Sequence, residues 1–279
     1  MVLMLSGDMM TDPLRKAVYD FMSRDHEDDV DSLNRALSKK GDAGLVRHMP
    51  PIPFTGDVYS MKPNDCILLL GINPLWPAPN KIAHKSELEP AMKMIRRFQS
   101  GDKQSFDKYF NSRINYFQTD YANWGHFNKT GFGYSEFFYP KESLSSVWNK
   151  HAIAVDVIPY FSKDTSSIES NRIEEAVRTN PALLAHQKIL EQIIQLIRPS
   201  MIHLNGAPAI QVVEDLYCKK KMDRIGPLGK QFNLRFGEAT VGNQTIEVFA
   251  HNQFASWAAN PSKKHWPRMY DEWNQWKRA

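Results

Sequence analysis

The chain has 279 residues, 42% of them hydrophobic, so it is long enough to bury one sizeable core. Its formal net charge of +4 is compatible with a polyanionic partner, although many proteins are this basic. Two cysteines, Cys66 and Cys218, are too few for a disulfide framework and are not spaced like a pair of metal ligands. We expect a cytoplasmic protein with one domain plus extensions, without a metal cluster or cofactor.

The first 58 residues are predicted to form an N-terminal helical extension. Charged and apolar residues alternate at helical spacing from Thr11 to Leu37, Asp12-Pro13 is a typical helix opening, and Gly41-Asp42 is a typical stop. The apolar patch at the start of the chain has only five residues, lacks a basic region and is followed by Asp8. It therefore indicates neither a signal peptide nor a membrane span.

Short unbroken apolar runs in the rest of the chain are typical of strands buried on both faces. They cover residues 66–70, 152–158, 201–204 and 245–250. A helix with apolar residues at helical spacing is predicted over Pro181–Ile197. Strands that alternate with helices favour an α/β domain over residues 59–279, a three-layer sandwich with a central, mostly parallel four-stranded sheet.

Polar side chains stand where each predicted strand ends. Gly71 to Pro74 follow the first strand, Asp156 lies near the end of the second, Asn205-Gly206 follows the third, and His251 follows the last. Ligands of α/β sheets bind at the carboxyl ends of the strands. An aromatic-rich insert at about 81–140 separates the first two strands, and it could enlarge a binding pocket or form a separate hydrophobic cluster.

The segment Gly71-Ile72-Asn73-Pro74 resembles the first active-site motif of one branch of the uracil-DNA glycosylase superfamily, the mismatch-specific and thymine-DNA glycosylases. That motif reads GINPG in the family, whereas its fifth position here is Leu75. Residues 246–250 followed by His251 resemble the second motif, a strand that leads into a loop entering the DNA minor groove. Asn260-Pro261-Ser262 is an alternative position for that loop, because the usual His-Pro-Ser pattern does not follow His251.

The resemblance covers about residues 60–260 and implies a monofunctional DNA glycosylase. Such an enzyme flips a nucleotide out of DNA and hydrolyses the N-glycosidic bond, leaving an abasic site. Asn73 would orient the attacking water, with Gly71, Ile72 and Pro74 around the substrate, and His251 would donate a hydrogen bond to the departing base. The alternative readings are that Asn73-Pro74 only forms a turn and that His251 only caps a loop.

Asp156 occupies the strand-end position where the uracil enzymes of this superfamily commonly carry the asparagine that reads the base. A carboxylate would be repelled by O4 of uracil but would accept well from the exocyclic amine of cytosine. Removal of ordinary cytosine would destroy the host genome, so a modified cytosine is predicted, such as the hydroxymethylated or glucosylated base of some phage DNA. That substrate implies anti-phage defence. Alternatively, Asp156 pairs with an arginine or lysine.

DNA contacts are predicted in and after the last strand end. Asn252, Gln253, Phe254 and Ser256 would approach the DNA, with Phe254 as a wedge that fills the space of the flipped base. The lysine pair at 263–264 would contact phosphates. The alternative readings are that Phe254 is an ordinary core aromatic and that the two lysines mark only a solvated face.

Two other functions remain open at this stage. The same fold could remove uracil or a mismatched thymine, or it could be a catalytically inactive DNA-binding module. An unrelated α/β hydrolase or nucleotide-binding enzyme is disfavoured because the nucleophile-elbow, phosphate-loop and dinucleotide-binding motifs are missing from the sequence. The nine histidines show no zinc-type spacing, which disfavours metal hydrolysis.

Overall fold

The computed structural model describes residues 12–74, 87–119, 126–163, 166–228, 232–253, 261 and 263–279. Its helices within these ranges are α1 Pro13–Met22, α2 His26–Leu37, α3 Glu89–Gln99, α4 Lys103–Ile114, α5 His126–Gly133, α6 Leu144–Lys150, α7 Ser170–Thr179, α8 Pro181–Ile197, α9 Ala207–Tyr217 and α10 Trp266–Trp276. Its strands are β1 Ile67–Gly71, β2 Ala152–Asp156, β3 Met201–Asn205, β4 Asp223–Leu228, β5 Phe232–Val241 and β6 Gln244–Gln253. A 3-10 turn covers Tyr116–Gln118, and a π-helical segment covers Tyr134–Phe138.

The strands form one six-stranded sheet in the order β2-β1-β3-β6-β5-β4. The first four strands of this order are parallel, and β5 and β4 continue the sheet in antiparallel pairing. The α/β class and the four predicted strands are therefore confirmed, but the prediction of a four-stranded sheet is wrong. β5 alternates buried and less buried residues, and β4 contains glycine and proline, so neither has the continuous apolar run that marked the other strands.

One face of the sheet packs against the N-terminal helices and α7 to α9. Leu68 and Leu70 of β1 share a hydrophobic core with Val18 and Phe21 of α1 and with Leu33 of α2. The single helical region predicted at the N-terminus is two helices, because the side chains of Asp12 and Asp25 each accept hydrogen bonds from the first backbone amides of a new helix. The apolar residues of both helices therefore belong to the hydrophobic core on this face of the sheet.

The opposite face carries an aromatic core. Ile67 and Leu69 of β1 lie in it, together with Phe249 of β6, Trp148 of α6 and Trp266 of α10. The predicted aromatic insert contributes Phe117 and Tyr134 to this same core rather than to a separate cluster. Aromatic side chains dominate the burial of apolar surface on this face, so they hold the insert and the C-terminal helix against the sheet.

None of the helices in the described ranges is long and apolar enough to cross a bilayer.

Gly133 sets the distance between the insert and α10. A Cβ at this position would overlap the indole ring of Trp266, which has no exposed surface. Alanine is a better helix former than glycine, so helix propensity alone would make Gly133→Ala more stable than wild type. A loss of stability would therefore come from the clash with Trp266. We expect the substitution to lower the free energy of unfolding by about 1–3 kcal/mol, measured by urea denaturation.

Asn128→Ala, at an exposed position of the same helix, is the matched control and should not destabilise the protein. A Gly133→Ala protein as stable as the wild type would show that Trp266 is not tightly packed against this helix.

Candidate functional site

The carboxyl ends of the four parallel strands bring four predicted positions into one row. Asp156 of β2 is opposite Gly71 of β1, and Asn205 of β3 is opposite His251 of β6. Because β1 also pairs with β3, these two pairs lie side by side at the same level of the sheet. Side chains alternate between faces along a strand, so these positions belong to the face that carries the aromatic core. The candidate site is therefore an edge of this face.

Gly71 makes room for the side chain of Asp156. A Cβ on Gly71 would overlap the Asp156 carboxylate. Part of the residue's surface is exposed, yet protein atoms crowd the carboxylate, and this burial raises the pKa of Asp156 to about 7. Within the described ranges no arginine or lysine forms an ion pair with it, and burial is the cause of the raised pKa.

Asn73 is held by the loop that follows β2. Its Nδ2 donates to the Ser162 hydroxyl at 2.7 Å, and the carbonyl oxygens of Pro74 and Tyr160 lie 3.2 and 3.4 Å from the same nitrogen. The two carbonyls only accept hydrogen bonds, so they fix which end of the amide is the NH₂ group. Oδ1 is buried and has no hydrogen-bond partner among the described residues.

The backbone joins these two loops as well. The amides of Val157 and Ile158 donate to the carbonyls of Gly71 and Ile72 at 3.0 and 2.8 Å, and the Ser162 amide donates to the carbonyl of Pro74 at 3.1 Å. The segment from Gly71 to Pro74 therefore extends the contact of β1 with β2 beyond the sheet. Asn73 is part of an ordered structure larger than an isolated turn.

His251 is fully buried and linked to two other buried polar side chains. Its Nδ1 lies 2.9 Å from Nε2 of His203, and Nδ1 of His203 lies 2.6 Å from the Tyr134 hydroxyl. Burial, together with the neighbouring His251, lowers the pKa of His203 well below its ordinary value, while burial raises the pKa of Tyr134. We call these three side chains the Tyr134–His203–His251 chain.

The predicted DNA-contacting residues have several locations. The prediction that His251, Asn252 and Gln253 lie in a loop is wrong, because pairing with β5 extends β6 to Gln253. Phe254 and Ser256 lie outside the described residues, and so do Asn260 and Ser262 of the alternative loop.

The two predicted phosphate-binding lysines are described, and both are exposed. Lys263 places its Nζ 4.3 Å from the centroid of the Phe132 ring, so its charged group rests on the insert. Both lysines lie just before α10. The ring centroid of Trp266, the first residue of this helix, is 5.9 Å from the ring centroid of His203. They are therefore connected through a short segment to the aromatic face of the sheet.

Two residues of the site, Ser162 and His203, were not selected from the sequence, and Tyr134 was considered only as one of the insert aromatics that could enlarge a pocket. A histidine inside an otherwise apolar strand is a detectable signal, because a buried polar group needs a hydrogen-bond partner. Its partners come from distant parts of the chain, and so does the Ser162 hydroxyl that holds Asn73. Sequence spacing alone gives no information about such long-range contacts.

In the part of the chain that the structure describes, no group of three or more histidine, cysteine, aspartate or glutamate side chains is arranged to hold a metal ion. Neither of the two cysteines is in a disulfide.

No protein-family model matches the sequence, and comparison with curated proteins finds no significant match. The resemblance of residues 71–74 to a glycosylase motif therefore stays a prediction.

Asp156→Asn tests the buried carboxyl through the pH dependence of stability. A pKa raised from 3.8 to about 7 means that the folded protein binds this proton more tightly, so wild-type stability falls as pH rises through this interval. Asparagine cannot ionise. We expect the stability of Asp156→Asn relative to wild type to increase by on the order of 2–4 kcal/mol between pH 4 and pH 8, measured by chemical denaturation.

Glu175→Gln, which removes an exposed carboxylate from α7, is the control and should show no such increase. A pH-independent difference between Asp156→Asn and wild type would contradict the raised pKa.

Proposed function

We propose that this protein is a monofunctional DNA glycosylase that removes a modified cytosine from DNA by hydrolysis of its N-glycosidic bond. The observation that carries the proposal is the state of Asn73, whose NH₂ group is held by Ser162 while its buried Oδ1 has no hydrogen-bond partner among the described residues. An unpartnered buried acceptor is costly unless a ligand or water uses it. The Asp156–Gly71–Asn205–His251 row supplies further polar groups at the same edge.

Hydrolysis of the glycosidic bond requires a water near C1′ of the deoxyribose. In the proposed reaction Oδ1 of Asn73 accepts a hydrogen bond from this water and orients its oxygen toward C1′. The bond between C1′ and the base breaks with its electron pair leaving on the base, and the water oxygen bonds to the oxocarbenium-like sugar and loses a proton to solvent. An amide is a weak base, so this mechanism depends on orientation and a dissociative transition state.

The departing base carries negative charge, and His251 is the proposed donor that stabilises it. A neutral imidazole can donate a hydrogen bond to a base carbonyl without prior protonation. The base would take up its proton from solvent after release, and the products would be a free base and an abasic site.

Asp156 is the proposed reader of the base. With its pKa raised to about 7, the carboxyl has a neutral form near physiological pH. A neutral carboxyl can accept from the N4 amine of cytosine through its carbonyl oxygen and donate to N3 through its hydroxyl. Uracil presents the reverse pattern at both positions, and a neutral carboxyl matches it with its proton on the other oxygen, so the proposed preference for cytosine requires the proton to lie on the oxygen that faces N3. A modification at C5 distinguishes the proposed target from ordinary cytosine and supports a role in defence against phage with modified DNA.

DNA binding is proposed for the surface next to this edge. The exposed Lys263 and Lys264 would contribute sequence-independent contacts to phosphates. Asn252 follows His251 within β6 and belongs to the opposite face of the strand, so its contact with DNA is a proposal from the sequence. The wedge role of Phe254, and contacts by Gln253 and Ser256, remain proposals from the sequence.

The decisive assay is base release from synthetic duplexes that differ at one position. The duplexes carry uracil, a G·T mismatch, cytosine, hydroxymethylcytosine or glucosylated hydroxymethylcytosine, and abasic sites are read as alkali-labile strand breaks. We expect breaks only at a modified cytosine, and we expect Asn73→Ala to lower the rate by at least about 100-fold. Asn111→Ala, at an exposed position of α4, is the matched control and should leave the rate unchanged.

Breaks only at uracil or G·T would keep the glycosylase and overturn the assignment of Asp156. DNA binding without breaks on any duplex would identify a catalytically inactive module instead.

The base preference should depend on the protonation of Asp156. Ionisation removes the donor to N3 and leaves a negative charge facing its lone pair, so kcat/KM on modified cytosine should fall as pH rises above about 7. Asp156→Asn should lose this dependence and shift the ratio of kcat/KM toward uracil by about 10- to 100-fold, measured in competition with paired substrates.

Because abasic-site detection involves alkali, each reaction is stopped before treatment and the control Glu175→Gln is run at every pH. An unchanged base preference in Asp156→Asn would show that another residue reads the base.

A further inference from the structure

Tyr160 joins the loop that holds Asn73 to the two N-terminal helices. Its backbone carbonyl oxygen lies 3.4 Å from Nδ2 of Asn73, and the hydroxyl of Ser162, two residues further along, lies 2.7 Å from the same nitrogen. The Tyr160 side chain packs against α1 and α2, where its hydroxyl donates to Asp29 at 2.9 Å. One residue therefore contacts the candidate site with its main chain and the helices with its side chain.

Asp29 is held in turn by Arg24, the residue that leads from α1 into α2. Nε of Arg24 donates to Oδ2 of Asp29 at 2.8 Å, and Nη2 donates to Oδ1 at 2.6 Å, so the ion pair is bidentate. Burial and the charge of Asp29 raise the pKa of Tyr160, so its hydroxyl keeps the proton and is the donor. We call these three side chains the Arg24–Asp29–Tyr160 bridge.

The surroundings of the bridge keep it in one arrangement. Tyr160 has no exposed surface, and its ring centroid lies 6.2 Å from that of Phe21 and 6.4 Å from that of His26. Nε2 of Gln99, at the end of α3, donates to the carbonyl of Arg24 at 3.1 Å. Three helices thus contribute to the position of the Tyr160 ring.

The loop that carries Tyr160, residues 158–163, is hydrogen-bonded along both sides. On one side it bonds to the Gly71–Pro74 segment, as described above. On the other side the amides of Val46 and Ile52 donate to the carbonyls of Phe161 and Pro159 at 2.9 and 2.8 Å. A shift of Tyr160 would therefore move the loop as a unit, together with the two groups that hold the Asn73 amide.

The polar groups of the bridge are not needed to fill the core. A phenylalanine at position 160 would occupy the same apolar surroundings without requiring a carboxylate there. Removing the charges of Asp29 and Arg24 from water is costly, so a buried ion pair contributes little net stability compared with apolar side chains. What the bridge does provide is a single, directional arrangement of the ring to which the loop is attached.

We propose that Asp29 and Tyr160 are positioning residues for Asn73. By fixing the 158–163 loop, they fix the Tyr160 carbonyl and the Ser162 hydroxyl that hold the NH₂ group, and so they set the direction of Oδ1 toward the attacking water. The inference rests on the proposed glycosylase activity for its catalytic consequence, but the orientation of the amide is a property of the folded protein. It makes the N-terminal helical region a part of the catalytic apparatus.

The first test observes the Asn73 side-chain amide in the full-length protein by ¹⁵N NMR, with its signals assigned from their loss in Asn73→Ala. Tyr160→Phe keeps the ring and removes the hydroxyl. We expect the exchange of the Asn73 Nδ2 protons with water to become about 2- to 10-fold faster, the effect of one hydrogen bond. The matched control is Tyr59→Phe, which removes another tyrosine hydroxyl that donates to an N-terminal aspartate, Asp12, and should leave this exchange unchanged.

The second test uses base release. Tyr160→Phe should lower kcat by about 2- to 10-fold with KM nearly unchanged, because orientation of the water affects the chemical step and not DNA binding. Tyr59→Phe should change neither constant. If Tyr160 acts through Asn73, the Asn73→Ala/Tyr160→Phe double variant will be no slower than Asn73→Ala alone.

A second variant changes the other end of the hydrogen bond. Asp29→Asn leaves one side-chain oxygen, which Arg24 and Tyr160 must share, so kcat should fall in the same direction and this loss should also disappear in the Asn73→Ala background. Asp28→Asn, at an exposed position of the same helix, is the matched control and should leave kcat unchanged.

The outcomes separate the two proposals. Faster exchange of the Asn73 amide in Tyr160→Phe, without base release from any DNA by the wild type, would support the positioning role and overturn the glycosylase. Base release with unchanged amide exchange and unchanged kcat in Tyr160→Phe would keep the glycosylase and overturn the positioning role. An equal loss of kcat from Tyr160→Phe with and without Asn73 would show a general structural effect and also overturn it.

Discussion

The register of the four parallel strands is the constraint on which the candidate site depends. Parallel pairing of β2, β1, β3 and β6 brings four strand ends to one edge, and it sets Asp156 beside Gly71 and Asn205 beside His251. A shift of one residue would turn each of these side chains to the other face. The apolar residues that precede them on each strand resist this shift, because they fill two different cores.

The site combines buried polar groups with few compensating charges. Asp156 has no described basic partner, His203 is held neutral by burial, and the Oδ1 atom of Asn73 is unpartnered among the described residues. Buried polar groups without full hydrogen bonding reduce stability, and such groups concentrate at functional sites. The same features that weaken the fold at this edge thus support its assignment as the place where a ligand binds.

Much of the fold was predictable because it depends on local patterns. The continuous apolar runs identify β1, β2, β3 and β6, and the residues predicted for the long helix, Pro181–Ile197, are those of α8. β4 and β5 were missed since their patterns are weaker: β4 contains glycine and proline, and β5 alternates buried and less buried residues. The end of β6 was missed for the same reason, and His251 lies within that strand.

The site was predictable only in part. Asn73, Asp156 and His251 were identified because strand ends are where ligands bind, but the groups that orient them are remote in sequence. Tyr134 is 69 residues from His203, and His203 is 48 residues from His251. Such contacts exist only once the chain has folded.

The close approach of Gly133 to Trp266 has a consequence for how this sequence can diverge. One residue belongs to the insert and the other to the C-terminal helix, yet the space available to either depends on the other. In related sequences we expect the two positions to covary, so that a larger side chain at the first occurs only with a smaller ring at the second. The aromatic core would then preserve its total volume while its individual residues change.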